Sequence, residues 1–435
     1  MFFSPHQKYL VKIMLLGDFT VIWVLTISSA ILLFRVIHVL SVFLYRPLVT
    51  STHRKVLYGN RETVPSPSPA TPPLLPDNWQ EHITNLLRSY CQERRSACTP
   101  MGPTADTWLA SLEHFVCDGG KRIRPTFVWL GWSAAGGHRH TELTEALCTI
   151  AASLEFVQAG ALIHDDIIDD SATRRGNPSL HEQFAAEHAH AVASSHACGN
   201  SRTIGQSSAL LLGDIALTWA DDMFFRTVSA FPPLHHALPY WTSMRTEMLT
   251  GQYLDMTGET LPYCDADNAQ KVNRFKTAAY TIERPLHIGA ACANASPELL
   301  QGLSDYGVNL GIAFQLRDDL LGVFGDSTKT GKPSGEDLRE GKRTQLLADA
   351  LEHLRPSEHK ELWSLIGKPL SESELDRART LLTECGAVTR SEQHIAMLAD
   401  KARHTLTKLL ETTEIYPPAV TALGEMIEAV TKRDF

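Results

Sequence analysis

Zinc-type metal chemistry has no foothold in this sequence. None of the eight cysteines (Cys91, Cys98, Cys117, Cys148, Cys198, Cys264, Cys292 and Cys385) forms a Cys-X-X-Cys pair, and no histidine cluster stands with them at ligand spacing. They read as reduced, mostly buried thiols, which fits a cytosolic compartment. A basic surplus is also missing. The formal net charge is −9, and a nucleic-acid footprint needs a basic surface, so no nucleic-acid partner is expected. Alternating strand-like runs with hairpin signals are scarce, and no short internal repeat is found. What remains, 43% hydrophobic and 20% charged residues, is an ordinary globular composition. Its local Lys and Arg clusters suit small anionic ligands.

From Trp79 onward apolar residues recur at three- and four-residue spacing, as in Leu143–Leu162 and Ser208–Phe225. Breakers fall at helix-length intervals: Gly119-Gly120, Gly136-Gly137, Gly176-Asn177-Pro178, Phe231-Pro232-Pro233 and Gly331-Lys332-Pro333. The pattern predicts one all-α body over residues 79–435, a multi-helix bundle. Residues 61–78 form a Pro/Ser-rich linker, expected to be extended. Residues 1–60 are hydrophobic, with an apolar stretch over about 19–45. A bilayer span takes about 20 apolar residues; Arg35 counts against one. Arg46, Arg54, Lys55 and Arg61 follow the stretch and only Lys8 and Lys12 precede it, which would leave the body in the cytoplasm. A membrane anchor and an over-extended start of the reading frame both stay open.

The chain's most informative stretch is Leu162–Asp170, which carries Asp165, Asp166, Asp169 and Asp170 and is followed by Arg174-Arg175-Gly176. On a helix, Asp165 and Asp169 share a face. Two bare carboxylates on one face need a cation between them, and hard oxygen ligands favour Mg²⁺, which keeps sites for phosphate oxygens. The arginines carry the fork that grips phosphate. The stretch therefore reads as a Mg²⁺-diphosphate site, against the plainer reading of a solvated acidic helix end. His164 points off that face and reads as a packing histidine. Gln158, two turns earlier, shares the face of Asp165.

The composition repeats further on. Phe314–Gly322 carries Gln315, Asp318 and Asp319, and the stretch from Lys332 to Lys342 supplies glycines and cations. Gly119–Pro125 holds Lys121, Arg122 and Arg124 behind two glycines, a pattern suited to phosphate capture. Gln252 and Asp255, and Lys276 and Thr277, are polar pairs within helical segments; either pair alone could be surface decoration. Two acidic sites, each followed by cations, imply a ligand with several phosphates. A basic pocket of Lys121, Arg124 and Arg175 could hold a second diphosphate without metal.

In that order, GGKRIRP (119–125), LIHDDIIDD (162–170), RRG (174–176), LLLGDIAL (210–217), GQYLD (251–255), KTA (276–278), FQLRDD (314–319) and GKPSGEDLREGKRT (331–344) resemble the trans-isoprenyl diphosphate synthases, or polyprenyl synthetases, over about residues 80–435. The version here is most similar to bacterial geranylgeranyl-type synthases. The resemblance implies the isoprenoid synthase fold, with a central active-site cavity and a homodimer. It implies Mg²⁺ as cofactor, with Asp165, Asp169 and Asp318 as ligands and Asp166 and Asp319 in support. Arg174, Lys276, Thr277, Gln315, Lys332 and Lys342 would hold an allylic diphosphate (dimethylallyl, geranyl or farnesyl). Lys121, Arg124 and Arg175 would hold isopentenyl diphosphate, and Gln158 falls where the family has His or Gln.

The implied reaction is a head-to-tail (1′-4) condensation giving an all-trans prenyl diphosphate. Gly160 and Ala161, small residues five and four positions before Asp165 where family members that stop at C15 carry aromatic bulk, put no floor under a growing chain and point to a product of C20 or longer, with geranylgeranyl diphosphate the first expectation. A longer product and a non-catalytic regulatory subunit are the alternatives. A class I terpene cyclase is disfavoured by the second-diphosphate cations. The chain departs from the family at Gly322, where a third aspartate is usual; Asp326, a turn further on, is one candidate substitute, and metal binding there is expected to rest mainly on Asp318.

Overall fold

The computed structural model describes residues 74–76, 78–325 and 334–431. The hydrophobic segment of residues 1–60, nearly all of the linker, and Asp326 and Lys332 lie outside the described residues. Within them, helix follows helix: α1 (Trp79–Ala97), α2 (Pro103–Cys117), α3 (Ile123–Ala134), α4 (Thr144–Ile168), α5 (Leu180–Ala193), α6 (Ser201–Ala230) and α7 (Leu238–Glu259). A continuous helical rod then runs through α8 (Ala266–Val272), a π-helical stretch at Asn273–Glu283, and α9 (Arg284–Cys292). The chain closes with α10 (Pro297–Phe324), α11 (Glu336–Glu340), α12 (Gln345–His353), α13 (Pro356–Trp363), α14 (Glu372–Glu384), α15 (Ala387–Thr412) and α16 (Pro417–Thr431). Among the described residues the one sheet is a two-stranded hairpin, β1 (Thr173–Arg174) with β2 (Asn177–Pro178). The all-α expectation holds.

Helix α4 is the central element. The most apolar 18-residue window of Thr141–Ile168 has a mean hydropathy of 1.7 and the segment is long enough to cross a membrane, yet 78% of that window is buried within the protein. A helix apolar on all faces belongs in a core, and residues of α1, α2, α6 and α7 pack around it, among them Leu87, Leu112, Trp219 and Met248. A second apolar cluster joins α3, α9 and α10 to α15 and α16 through Phe127, Leu286, Tyr306, Leu406 and Leu423. A third holds the end of α10 against α12 and α14. These three clusters fix the C-terminal ends of α4 and α10, which carry the acidic motifs.

The approach of α4 to α6 requires Gly160. A Cβ there would meet the Leu217 side chain at 2.8 Å and the Gly213 carbonyl at 3.1 Å. Packing against α6 thus demands this small residue, whatever the product length. Ala161 is half-buried and lies on the Asp165 face of α4.

Candidate active site

Asp165 and Asp166 lie in the last turn of α4, and Asp169 follows it. Asp318 and Asp319 lie in the last two turns of α10. Both acidic motifs therefore sit at helix C-termini, where the unpaired carbonyls already concentrate about half a negative charge. The plainer reading of a solvated acidic cap fails on this point, because carboxylates stabilise the opposite end. Only nearby cations can make these positions tolerable.

The protein supplies some. Lys276 Nζ reaches Asp165 Oδ1 at 3.1 Å and Asp255 Oδ2 at 2.6 Å, and Gln252 donates to the same Asp165 oxygen at 2.9 Å. Arg174 donates from Nε to Asp166 Oδ1 at 2.8 Å and lies 3.6 Å from Asp165 Oδ2. Lys342 Nζ lies 3.1 Å from Asp169 Oδ2 and 3.0 Å from Glu340 Oε2. Carboxylates still outnumber the cations among them. Burial works to raise the Asp165 pKa, but Lys276, Lys342 and Arg174 outweigh it and hold the carboxyl below its usual range. Asp169 moves the other way, raised by burial and by Asp165.

The second acidic site is linked to the π-helical stretch. Thr277 Oγ1 donates to Gln315 Oε1 at 2.5 Å, and the Gln315 amide donates to Asp319 Oδ1 at 2.7 Å. Asp319 is 3% exposed and burial pushes its pKa well up, although Gln315 opposes the shift. Asp318 is exposed. The π-helical register is what aims Lys276 and Thr277 at the two acidic sites from one short segment; such stretches cluster at functional sites.

The tight hairpin parts the two arginines. Arg175 and Gly176 form its two-residue turn, both with positive φ (54° and 77°), the combination a type I′ turn needs. Arg174 faces Asp166. Arg175 turns back to donate to the carbonyls of Phe115 and Asp118, at 3.3 and 3.2 Å, beside the Gly119-Gly120 loop. Nearby, Arg124 stacks over the Tyr280 ring at 4.0 Å and donates to Thr281 Oγ1 at 2.9 Å. The Tyr280 hydroxyl donates to Gln158. Lys121 is exposed at the mouth of the same loop.

Comparison with known proteins gives the family. The polyprenyl synthetase profile matches residues 106–382. The chain belongs to the polyprenyl synthetase family. These are trans-isoprenyl diphosphate synthases, and prenyl transfer is their class of reaction. A solved geranylgeranyl pyrophosphate synthase of Corynebacterium glutamicum, complexed with isoprenyl diphosphate and magnesium, is 40% identical; the match covers 82% of this chain and 99% of that one, with a TM-score of 0.78. The geranylfarnesyl diphosphate synthase of Aeropyrum pernix is 31% identical over 71% of this chain and 90% of its own length. The octaprenyl diphosphate synthase of Escherichia coli is 30% identical over 69% of this chain and 83% of its own.

Several groups in this synthase-family site take parts that sequence reasoning did not assign to them. Gln252 and Asp255, expected as possible decoration, hold Asp165 and Lys276. Arg122, the middle cation of its loop, is 3% exposed and pairs with Glu155 at 2.8 Å while donating to the carbonyls of Val116 and Cys117. It locks the loop that presents Lys121 and Arg124. His164 meets the Leu210 carbonyl at 3.2 Å, as expected of a packing histidine. Asp170, His181 and Glu182 also gather ligand atoms within 4.8 Å, but both Asp170 oxygens already accept from Arg202 at 2.8 Å.

Proposed function

We propose that this chain catalyses the Mg²⁺-dependent head-to-tail condensation of isopentenyl diphosphate with an allylic diphosphate, with all-trans geranylgeranyl diphosphate as the main product. One observation carries the reading: two acidic motifs at helix C-termini, with more carboxylates than cations. The donor set fits Mg²⁺, since it is all hard oxygen and includes a buried Asp319 oxygen without a hydrogen-bond partner among the described residues. Asp165, Asp169 and Asp318 would hold the metal, with Asp166 and Asp319 in support. Bound there, Mg²⁺ would neutralise charge on the leaving diphosphate.

The remaining roles are those that the family resemblance implies for these residues. Arg174, Lys276 and Lys342 release their carboxylates and grip the allylic diphosphate, with Thr277 and Gln315 as hydrogen-bonding partners and Lys332 as a further cation. Their preorganised charge favours the ionised state over the intact ester. The allylic C–O bond breaks, leaving a delocalised carbocation and pyrophosphate. Lys121, Arg124 and Arg175 hold isopentenyl diphosphate so that its double bond meets that cation. A new C–C bond forms and a proton passes to pyrophosphate. Apolar helix faces keep water away from the cation.

Product length rests on the small Ala161. A longer product is the second reading, favoured by relatives that bear the names geranylfarnesyl and octaprenyl diphosphate synthase. Asp165, Asp169, Asp318, Lys332 and Lys342 are all present in the sequence, which weighs against a non-catalytic partner subunit. Exposed Leu210, Leu211 and Phe225 along α6 support a homodimer. A cytoplasmic setting belongs to the same proposal. The test is incubation of the purified chain with labelled isopentenyl diphosphate and each of the dimethylallyl, geranyl and farnesyl primers. A C20 product is expected; failure to extend any primer refutes the reading.

A further inference from the structure

The second acidic motif lacks a side chain at Gly322, and the structure fills that place from elsewhere. A Cβ added to Gly322 would lie 1.9 Å from Asp337 Oδ2 and 2.4 Å from Asp337 Cγ. The carboxylate of Asp337 therefore occupies the space into which a residue at 322 would project. It comes from α11, a separate five-residue helix bounded by Gly335 and Gly341, both with positive φ. Its main-chain carbonyl accepts from the amides of Gly341 and Lys342 at 3.1 and 2.9 Å, so the residue is held by its backbone.

The surroundings are those of a cation site. Asp319 Oδ2 is buried and has no hydrogen-bond partner among the described residues. The charges that act on Asp319 include Asp337 and Asp318. Among the carboxylates that act on the Lys342 ammonium, Asp337 comes first, ahead of Asp169 and Asp165 of the first motif. Asp337 thus stands between the two motifs.

We infer that Asp337 supplies the third carboxylate of the second motif, so that Asp318, Asp319 and Asp337 together form its metal-facing set. Gly322 is the complementary half of this exchange: the motif gives up its own side chain and admits one from α11. The inference rests on the reading of Asp318 as a metal ligand. It also ties α11, and through it the position of Lys342, to the metal-facing set. Substituting either Gly322 or Asp337 alone should then do harm, while substituting both should restore function.

Calorimetric titration of inorganic pyrophosphate into the full chain at fixed Mg²⁺ tests this without turnover. Asp337→Asn should weaken binding by about 10-fold to 100-fold, the usual cost of losing a metal-supporting group. Gly322→Ala should weaken it in the same direction, because its methyl displaces the Asp337 carboxylate. The double variant Gly322→Asp, Asp337→Ala should recover most of the loss. Metal-free melting reports whether each variant folds. Wild-type binding in both Asp337→Asn and Gly322→Ala, with binding lost in Asp318→Asn, overturns the inference and leaves the metal reading standing. Wild-type binding in Asp318→Asn as well overturns both.

Discussion

Lys342 Nζ lies 3.1 Å from Asp169 Oδ2, although the two residues belong to different motifs of the chain. The contact makes Lys342 a resident counter-ion for the first acidic motif in the absence of metal. On the proposed reading it turns to the diphosphate when substrate binds. Replacing it with methionine keeps the length of the side chain and removes the charge. The turnover rate at saturating Mg²⁺ should fall by about 100-fold, as for loss of one preorganised charge-stabilising donor. An unchanged rate would remove Lys342 from the substrate grip.

The Arg122–Glu155 pair makes a prediction about stability. Both side chains are almost fully buried, at 3% and 8% exposure. Removing one partner of a buried pair strands the other and costs about 3–5 kcal/mol. Glu155→Ala should show that loss in chemical denaturation, and the Arg122→Met, Glu155→Leu double change should lose less. Equal losses in both would mean that the backbone bonds of Arg122, and not the ion pair, hold the loop.

Gly160 and Ala161 should separate packing from product length. Gly160→Ala forces a methyl against Leu217 and should destabilise by about 1–3 kcal/mol, with products unchanged. Ala161→Phe places bulk on the Asp165 face and should shorten the product. Chromatography of the prenyl products beside a melting curve checks both. A shortened product from Gly160→Ala would return that residue to the ruler.

A pH effect follows from Glu259, at the end of α7. Burial, with Asp255 and Asp169 nearby, pushes its pKa up to about 7 from an unfolded value of 4.5. The folded state therefore holds a proton that the unfolded state has lost between these values. Its contribution to stability grows as pH falls from about 7 to 4.5, and charging it above that window is destabilising. Metal-free Glu259→Gln should melt above the wild type at pH 8 and level with it at pH 4.5. An equal difference at both pH values would assign the effect to something other than this titration.

Much of this was legible from residue order, and the rest was hidden for physical reasons. Periodicity located α4 and α6, and the aspartate spacing placed Asp165 and Asp169 together. The direction of the helix was harder to read: an acidic run suits a helix start, and only the fold puts it at the C-terminal end. Gln252 and Asp255 gained meaning because the π-helical stretch brings Lys276 to them, and that register leaves no distinct mark on an apolar pattern. Arg122 sits among Lys121 and Arg124, and burial alone distinguishes the structural cation from its neighbours. The Arg175-Gly176 turn lacks the Asn-Gly or Asp-Gly pair that usually announces a hairpin.

The central claim, that carboxylates from α4 and α10 jointly hold metal against a diphosphate, is tested most directly by anomalous diffraction from crystals of the full chain grown with Mn²⁺ and pyrophosphate. Anomalous peaks are expected at Asp165 and Asp169 and at Asp318, with pyrophosphate between the two motifs. Peaks only elsewhere, as at Asp170, His181 and Glu182, or none at all, would contradict it.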